Sequence, residues 1–182
     1  APDRVNAKLV YISTDYVFDG TATAPIHEFE KTNPCNVYGS SKLAGETFCK
    51  QFSSKYFIVR TSWLYGEHGN NFVKSMLQLG KEKPELQVVH DQIGSPTFTI
   101  DLAERIVDLV QTEKYGTYHI SNSGSCSWYE FALKIFQLSD ITVNVKPCTS
   151  EEFKRPAPRP KYSVFEHMGL RINGFQAMRH WE

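Results

Sequence analysis

Short unbroken apolar runs alternate along this chain with stretches in which apolar residues return every three or four positions. Leu9-Val10-Tyr11-Ile12 and Tyr56-Phe57-Ile58-Val59 are four-residue apolar runs bounded by polar residues. Runs of that length read as strands buried on both faces, the habit of parallel sheets. Between them, after the break at Asn33-Pro34, Val37, Ala44, Phe48 and Phe52 fall at helical spacing and predict a helix from about Asn36 to Phe52. Strand, helix and strand form one βαβ crossover, with the two strands parallel. Further on, the pattern predicts a helix from about Asn71 to Gly80, capped by Gly80. A turn at Lys81 to Pro84 and a short strand at Leu86 to His90 follow. A helix over Asp101 to Gln111 turns Leu102, Ile106, Leu109 and Val110 inward, and Thr117 to Ile120 reads as a third sheet strand. Trp128 to Leu138 is amphipathic behind an N-cap at Ser127, and a short helix is expected near Phe165 to Met168. The fold class is α/β.

The polar residues at the ends of these elements carry the chemistry. Ser13-Thr14-Asp15-Tyr16-Val17-Phe18-Asp19-Gly20 directly follows the first apolar run. In open α/β sheets ligands bind outside the carboxyl ends of the strands. Side chains alternate across a strand, so only one of Ser13 and Thr14 can face such a site. Tyr38-Gly39-Ser40-Ser41-Lys42 opens the following helix and sets a phenol and an ammonium four residues apart, roughly 5–6 Å between Cβ atoms on one face. That row continues with the small residues Gly45 and Cys49, which allow close approach to a sheet or cofactor. A phenol titrates near 10 and must come down by up to about 3 units, roughly 4 kcal/mol, to exchange protons near neutrality. An ammonium one turn away and a strand-end hydroxyl supply that kind of stabilisation. Y-x3-K alone is common on helix surfaces; its pairing with the strand-end run gives it weight.

These residues resemble the extended short-chain dehydrogenase/reductase family, and within it the dTDP-4-dehydrorhamnose reductases. The resemblance extends through Arg60-Thr61-Ser62-Trp63-Leu64-Tyr65-Gly66, Asn70-Asn71-Phe72-Val73, Asp91-Gln92-Ile93-Gly94-Ser95-Pro96-Thr97, Asp101-Leu102-Ala103, Gly116-Thr117-Tyr118-His119-Ile120 and Arg155-Pro156-Ala157-Pro158-Arg159-Pro160. It implies the C-terminal part of a Rossmann-like doubly wound parallel sheet with a small C-terminal substrate-binding lobe. Residues 1–125 would form the partial NAD(P)-binding domain, with part of 66–100 reaching the lobe, and 126–182 the lobe itself. The resemblance implies Thr14, Tyr38 and Lys42 as the catalytic triad, and Ile12, Tyr38 and Lys42 against NADPH or NADH. It places Thr14, Asp15, Tyr16 and Trp63 on the sugar. The implied reaction reduces the C4 ketone of dTDP-4-dehydro-6-deoxy-L-mannose to give dTDP-L-rhamnose.

The chain departs from the family in one respect. No segment matches G-x-G-x-x-G or G-x-x-G-x-x-G, and the first residue is Ala1 rather than a methionine. A truncated chain is therefore expected, with Leu9 to Ile12 as an uncovered sheet edge prone to self-association and without independent NADPH binding. Charge is balanced at 20 basic and 20 acidic residues, which argues against nucleic acid or an anionic membrane as partner. No apolar run reaches membrane-span length and no signal peptide is evident. Cys35, Cys49, Cys126 and Cys148 show no C-x-x-C spacing. Reduced thiols, no metal and a cytoplasmic location are expected; the oligomeric state is not given by the sequence, a homodimer being one candidate.

The remaining candidates have competing readings. Trp63 follows a strand end, where an indole stacks on a sugar or simply fills the core. Tyr16 bonds to the sugar or lines the pocket passively. Arg155 and Arg159, in the Lys154 to Lys161 segment with its three prolines, suit a diphosphate or a solvated loop. Asn71 and Gln92 suit a ligand or loop backbone equally, and the six histidines are given no chemistry. A dehydratase on the same scaffold would carry an acidic pair after the strand-end Thr; here Tyr16 follows Asp15. A non-catalytic regulatory subunit, as in the methionine adenosyltransferase beta subunits, keeps Y-x3-K but has no counterpart of Trp63. A sugar-nucleotide epimerase is the third rival.

Overall fold

The computed structural model describes residues 2–153 and 155–182; Lys154 of the basic segment lies outside them. Strands β1 (Leu9–Thr14), β2 (Tyr56–Thr61) and β7 (Gly116–His119) form a parallel sheet in the order β1-β2-β7, with Thr14 beside Thr61 and Arg60 beside His119. Helix α1 (Val37–Phe52) is the crossover between β1 and β2, capped by the Asn36 side chain on the Gly39 N–H. β2 is buried along almost its whole length. β1 is not: Leu9, Val10 and Tyr11 are half-buried and Ile12 is exposed. The expectation of two covered faces fails there because α1 covers the face that Tyr11 and Ser13 point to, whereas Ile12 opens onto a cleft on the other; among the described residues β1 is also the edge strand of this sheet. Helix α3 (Thr99–Val110) closes the other end, its Leu102 and Leu109 packing with Phe57, Val59, Tyr118 and Ile120.

A second core gathers between α2 (Phe72–Glu82), α4 (Trp128–Leu138) and the parallel pair β4 (Glu85–Val89) and β9 (Asn144–Cys148), around Met76, Leu86, Val88, Phe131 and Phe136. Four short strands tie it to the sheet ends: β3 (Leu64–Tyr65) pairs with β6 (Thr97–Phe98), and β5 (Ile93–Gly94) with β8 (Cys126–Ser127). Residues 72–89 pack in this second core, within the 66–100 stretch expected to reach the lobe. α5 (Met168–Ile172) packs on the main sheet, with Leu170 and Met178 in its core. The last helix also lies later than expected, because Phe165 instead bridges Ile26 and packs with Val17 and Phe18. Ser127 caps α4 in a reciprocal capping box with Glu130. Gly80 caps nothing: α2 runs on to Glu82, and a Cβ on Gly80 would stand 2.5 Å from the Phe136 ring. Its missing side chain is what lets α4 come close.

Candidate active site

A cleft of about 510 Å³ opens at the carboxyl ends of β1 and β2, walled by Ile12, Thr14, Asp15, Tyr16, Tyr38, Lys42 and Trp63 among others. Every residue expected at the site borders this one space. Thr14 caps the short 3-10 turn Asp15–Val17 that follows β1, accepting from the Tyr16 N–H and donating to Asp15 Oδ1 at 3.0 Å. Ser13, its neighbour, turns to the other face and donates to Glu46 Oε1. Alternation along the strand thus leaves Thr14 as the hydroxyl at the site. Asp15 is 3% exposed and, among the described residues, no hydrogen bond of good geometry reaches its Oδ2, the Ser163 hydroxyl lying close to the carboxyl without making one. Burial pushes its carboxyl up to about 6, against the opposing pull of the Ser163 and Thr14 hydroxyls.

The start of α1 supplies the phenol and the ammonium. Tyr38 is half exposed and meets Tyr16 edge-on, ring centroids 5.5 Å apart. Burial raises the Tyr16 phenol, with Arg159 pulling the other way. Lys42 Nζ donates to the Ile12 carbonyl at 3.0 Å. An ammonium has three donors, so two remain for a ligand. The helix comes this close because of its glycines: a Cβ on Gly39 would stand 2.1 Å from the Tyr16 carbonyl oxygen, and one on Gly45 2.1 Å from the Tyr11 hydroxyl. An exposed aliphatic side chain at Ile12 beside a donor-rich ammonium fits the nicotinamide-ribose end of a dinucleotide.

Trp63 stands at φ +48°, a left-handed conformation that costs a non-glycine residue of order 1–2 kcal/mol. Its surroundings over-determine it. The Thr97 N–H donates to its carbonyl, Ser62 Oγ holds the Ser95 carbonyl, and the bare Gly94 lies against the indole. One face of Trp63 is covered by Trp128, stacked at 3.5 Å and 8°. Both indoles wall the cleft. Core packing and site lining, which the sequence presented as rivals for Trp63, therefore coexist. Trp128 escaped the sequence reading because the first residue of an amphipathic helix carries no signal of its own; its partner lies 65 positions away.

The proline-bearing segment is not a free loop. Pro160 is buried against Gly20, and Asn36 Nδ2 donates to the Pro158 carbonyl, which carries Ala157 and Arg159 to the cleft. Arg159 also borders an adjoining cavity of about 390 Å³, lined by Phe72, Met76, Val88, Gln92, Phe153 and Arg155. Arg155 sits over the Phe153 ring at 4.8 Å and does not reach the first cleft. Gln92 donates to Ser150 Oγ while bordering this cavity. Asn71 is spent on its surroundings, capping α2 and donating to the Gly66 carbonyl.

The chain is similar to several known proteins. The family model described as the RmlD substrate binding domain matches residues 1–182. A spore coat polysaccharide biosynthesis protein of Bacillus subtilis is 47% identical over 98% of this chain and 62% of its own length. A dTDP-4-dehydrorhamnose reductase of Escherichia coli is 40% identical over 100% of this chain and 64% of its own. The crystal structure of a dTDP-4-dehydrorhamnose reductase from Bacillus anthracis in complex with NADP superposes with a TM-score of 0.96 at 59% identity, over 98% of this chain and 63% of that one. The chain thus spans a little over three fifths of the length of these relatives.

Proposed function

The chain belongs to the RmlD substrate binding domain family, and from that premise we propose that its cleft reduces the C4 ketone of dTDP-4-dehydro-6-deoxy-L-mannose to dTDP-L-rhamnose, with NADPH or NADH as reductant. The observation that carries this reading is the convergence of a strand-end hydroxyl, a half-exposed phenol and an ammonium on one cleft that two indoles and an arginine complete. Ile12, Tyr38 and Lys42 would hold the nicotinamide end, the two unused donors of Lys42 taking the ribose hydroxyls. The nicotinamide, when bound, supplies a hydride to C4. Tyr38 gives its proton to the C4 oxygen, and the Lys42 charge on the next turn stabilises the phenolate left behind. Thr14 donates to Asp15 and accepts from the Tyr16 N–H, which leaves one lone pair of its hydroxyl to accept from the Tyr38 phenol and so orient it; contact with the carbonyl oxygen requires its proton to turn from Asp15 to the substrate.

The sugar lies against Trp63 and Tyr16. Arg159, shared by the two cavities, takes the diphosphate as a guanidinium fork, and the adjoining cavity with Phe153 and Arg155 takes the nucleoside. Among the described residues no helix is long and apolar enough to cross a membrane. The four free cysteines support a cytoplasmic setting. Because residues 1–182 hold no Gly-rich phosphate loop, the reading is tested by incubating NADPH and the 4-keto sugar nucleotide with a protein that carries this chain at its relatives' full length. Loss of reduced nicotinamide in step with formation of dTDP-L-rhamnose is expected; turnover of a UDP-linked 4-keto sugar in preference to the dTDP compound would overturn the substrate assignment.

A further inference from the structure

Ser13 and Arg60 are register partners on β1 and β2. Their side chains leave the sheet on one face, while Thr14, one residue on, turns the other way. Glu46 reaches that face from α1 and is completely buried. Arg60 grips it with two bonds, Nε to Oε1 at 2.8 Å and Nη2 to Oε2 at 2.7 Å, and Ser13 Oγ donates to the same Oε1 at 2.6 Å. The rest of the guanidinium is also committed: Nη1 donates to the Glu28 carbonyl at 3.4 Å and lies 3.3 Å from His119 Nε2. Arginine only donates, so that ring nitrogen accepts and Nδ1 carries the proton to the Ile26 carbonyl at 2.9 Å. Phe18 lies 5.2 Å under the guanidinium and Phe165 stacks on His119.

Three successive residues of β1 hold α1 in this way. Tyr11 donates to the Lys42 carbonyl, the Ile12 carbonyl accepts from Lys42 Nζ, and Ser13 donates to Glu46. Tyr38, Lys42 and Glu46 recur every four residues along one row of the helix, and Thr14 directly follows Ser13 in the chain. An apolar pair of equal volume would fill the space between helix and sheet without fixing the helix along its axis. A two-bond fork does fix it, because sliding the helix breaks both bonds together.

We propose that Glu46, bridging Arg60 and Ser13, is a positioning residue: it locks α1 to the strand ends and so sets Tyr38 and Lys42 against Thr14. The inference rests on the reductase reading for its effect on turnover, but not for its effect on the helix. In the intact protein, Glu46→Gln keeps the shape while removing the charge. Its kcat should fall at least about 30-fold, with KM for the sugar nucleotide changed less than about threefold. Amide hydrogen exchange over residues 37–42 should quicken at least about tenfold. A folded Glu46→Gln protein with unchanged exchange there, or with kcat within about threefold of the unaltered protein, overturns the proposal. If that variant does not fold, Ser13→Ala and Ser13→Thr decide: a kcat about fivefold or more lower for Ala and restored by Thr is expected, and an Ala variant as fast as the unaltered protein overturns it. If the unaltered protein turns over no 4-keto sugar nucleotide, the functional reading fails, and the exchange rates alone decide the clamp.

Discussion

Replacing Asp15 by Asn should make the protein more stable above neutral pH, although it alters a residue at the centre of the cleft. The carboxyl is buried, with one oxygen accepting from Thr14 and the other reached by no hydrogen bond of good geometry, and burial raises it from 3.8 to about 6. With the folded value above the unfolded one, the folded state binds more protons between about pH 4 and 6. Stability therefore falls as pH rises through that window and stays reduced above it. Two units at 1.36 kcal/mol each put the cost of the ionised form at about 3 kcal/mol. Asn keeps an acceptor for Thr14 and carries no charge, but sets an N–H where Oδ2 makes no hydrogen bond of good geometry, a penalty of about 1 kcal/mol. The net gain at pH 8 is then about 2 kcal/mol, on the order of 4–8 °C in Tm for a chain of this size. Urea unfolding of both proteins at pH 8 and pH 4.5 measures it. The advantage of Asn should shrink or reverse at the lower pH. A variant equally destabilised at both values would refute the reasoning, because the carboxylate would then be stabilised by its surroundings rather than penalised.

Three further outcomes follow from the packing. Gly80→Ala, which in an exposed helix interior stabilises by about 1 kcal/mol, should here lower Tm, because the new Cβ meets the Phe136 ring at 2.5 Å; a raised Tm on thermal unfolding would show that the ring yields freely. Arg159→Ala should weaken binding of the dTDP-sugar at least about tenfold while leaving NADPH affinity unchanged, since Arg159 borders the sugar cleft and the adjoining cavity; calorimetry with each ligand separates the two. Trp128→Ala uncovers the stacked face of Trp63 and should weaken sugar-nucleotide binding more than cofactor binding; equal losses would make the indole pair structural.

What the sequence revealed and what it hid divide along the range of the interactions. The helix of the βαβ unit, the Ser127 cap and the placing of Tyr38 and Lys42 one turn apart depend on neighbours within a few residues, and they stand as read, as does the parallel pairing of β1 and β2 that such a crossover imposes. The edge position of Leu9 to Ile12 was also legible, whereas the cleft that leaves Ile12 exposed was not visible in an unbroken apolar run. Gly80 followed by a turn looked like a helix stop, since nothing local announces that Phe136 needs the room. The return of α5 to the main sheet depends on Leu170 meeting β7 across some fifty residues. Glu46 was passed over because a carboxylate on an amphipathic helix normally faces water. Only its spacing of four from Lys42 and the Arg60 that ends an apolar run pointed to its burial.

The central claim is that the Tyr38 phenol delivers the proton to a sugar C4 oxygen. Tyr38→Phe keeps the ring that meets Tyr16 edge-on and removes only the oxygen. In a protein that carries this chain at its relatives' full length, steady-state kcat with NADPH and dTDP-4-dehydro-6-deoxy-L-mannose should fall by at least about 100-fold, with the affinities for both ligands within about threefold of the unaltered protein. A variant that keeps more than about a tenth of kcat, a loss of no more than roughly 1.4 kcal/mol, would contradict it.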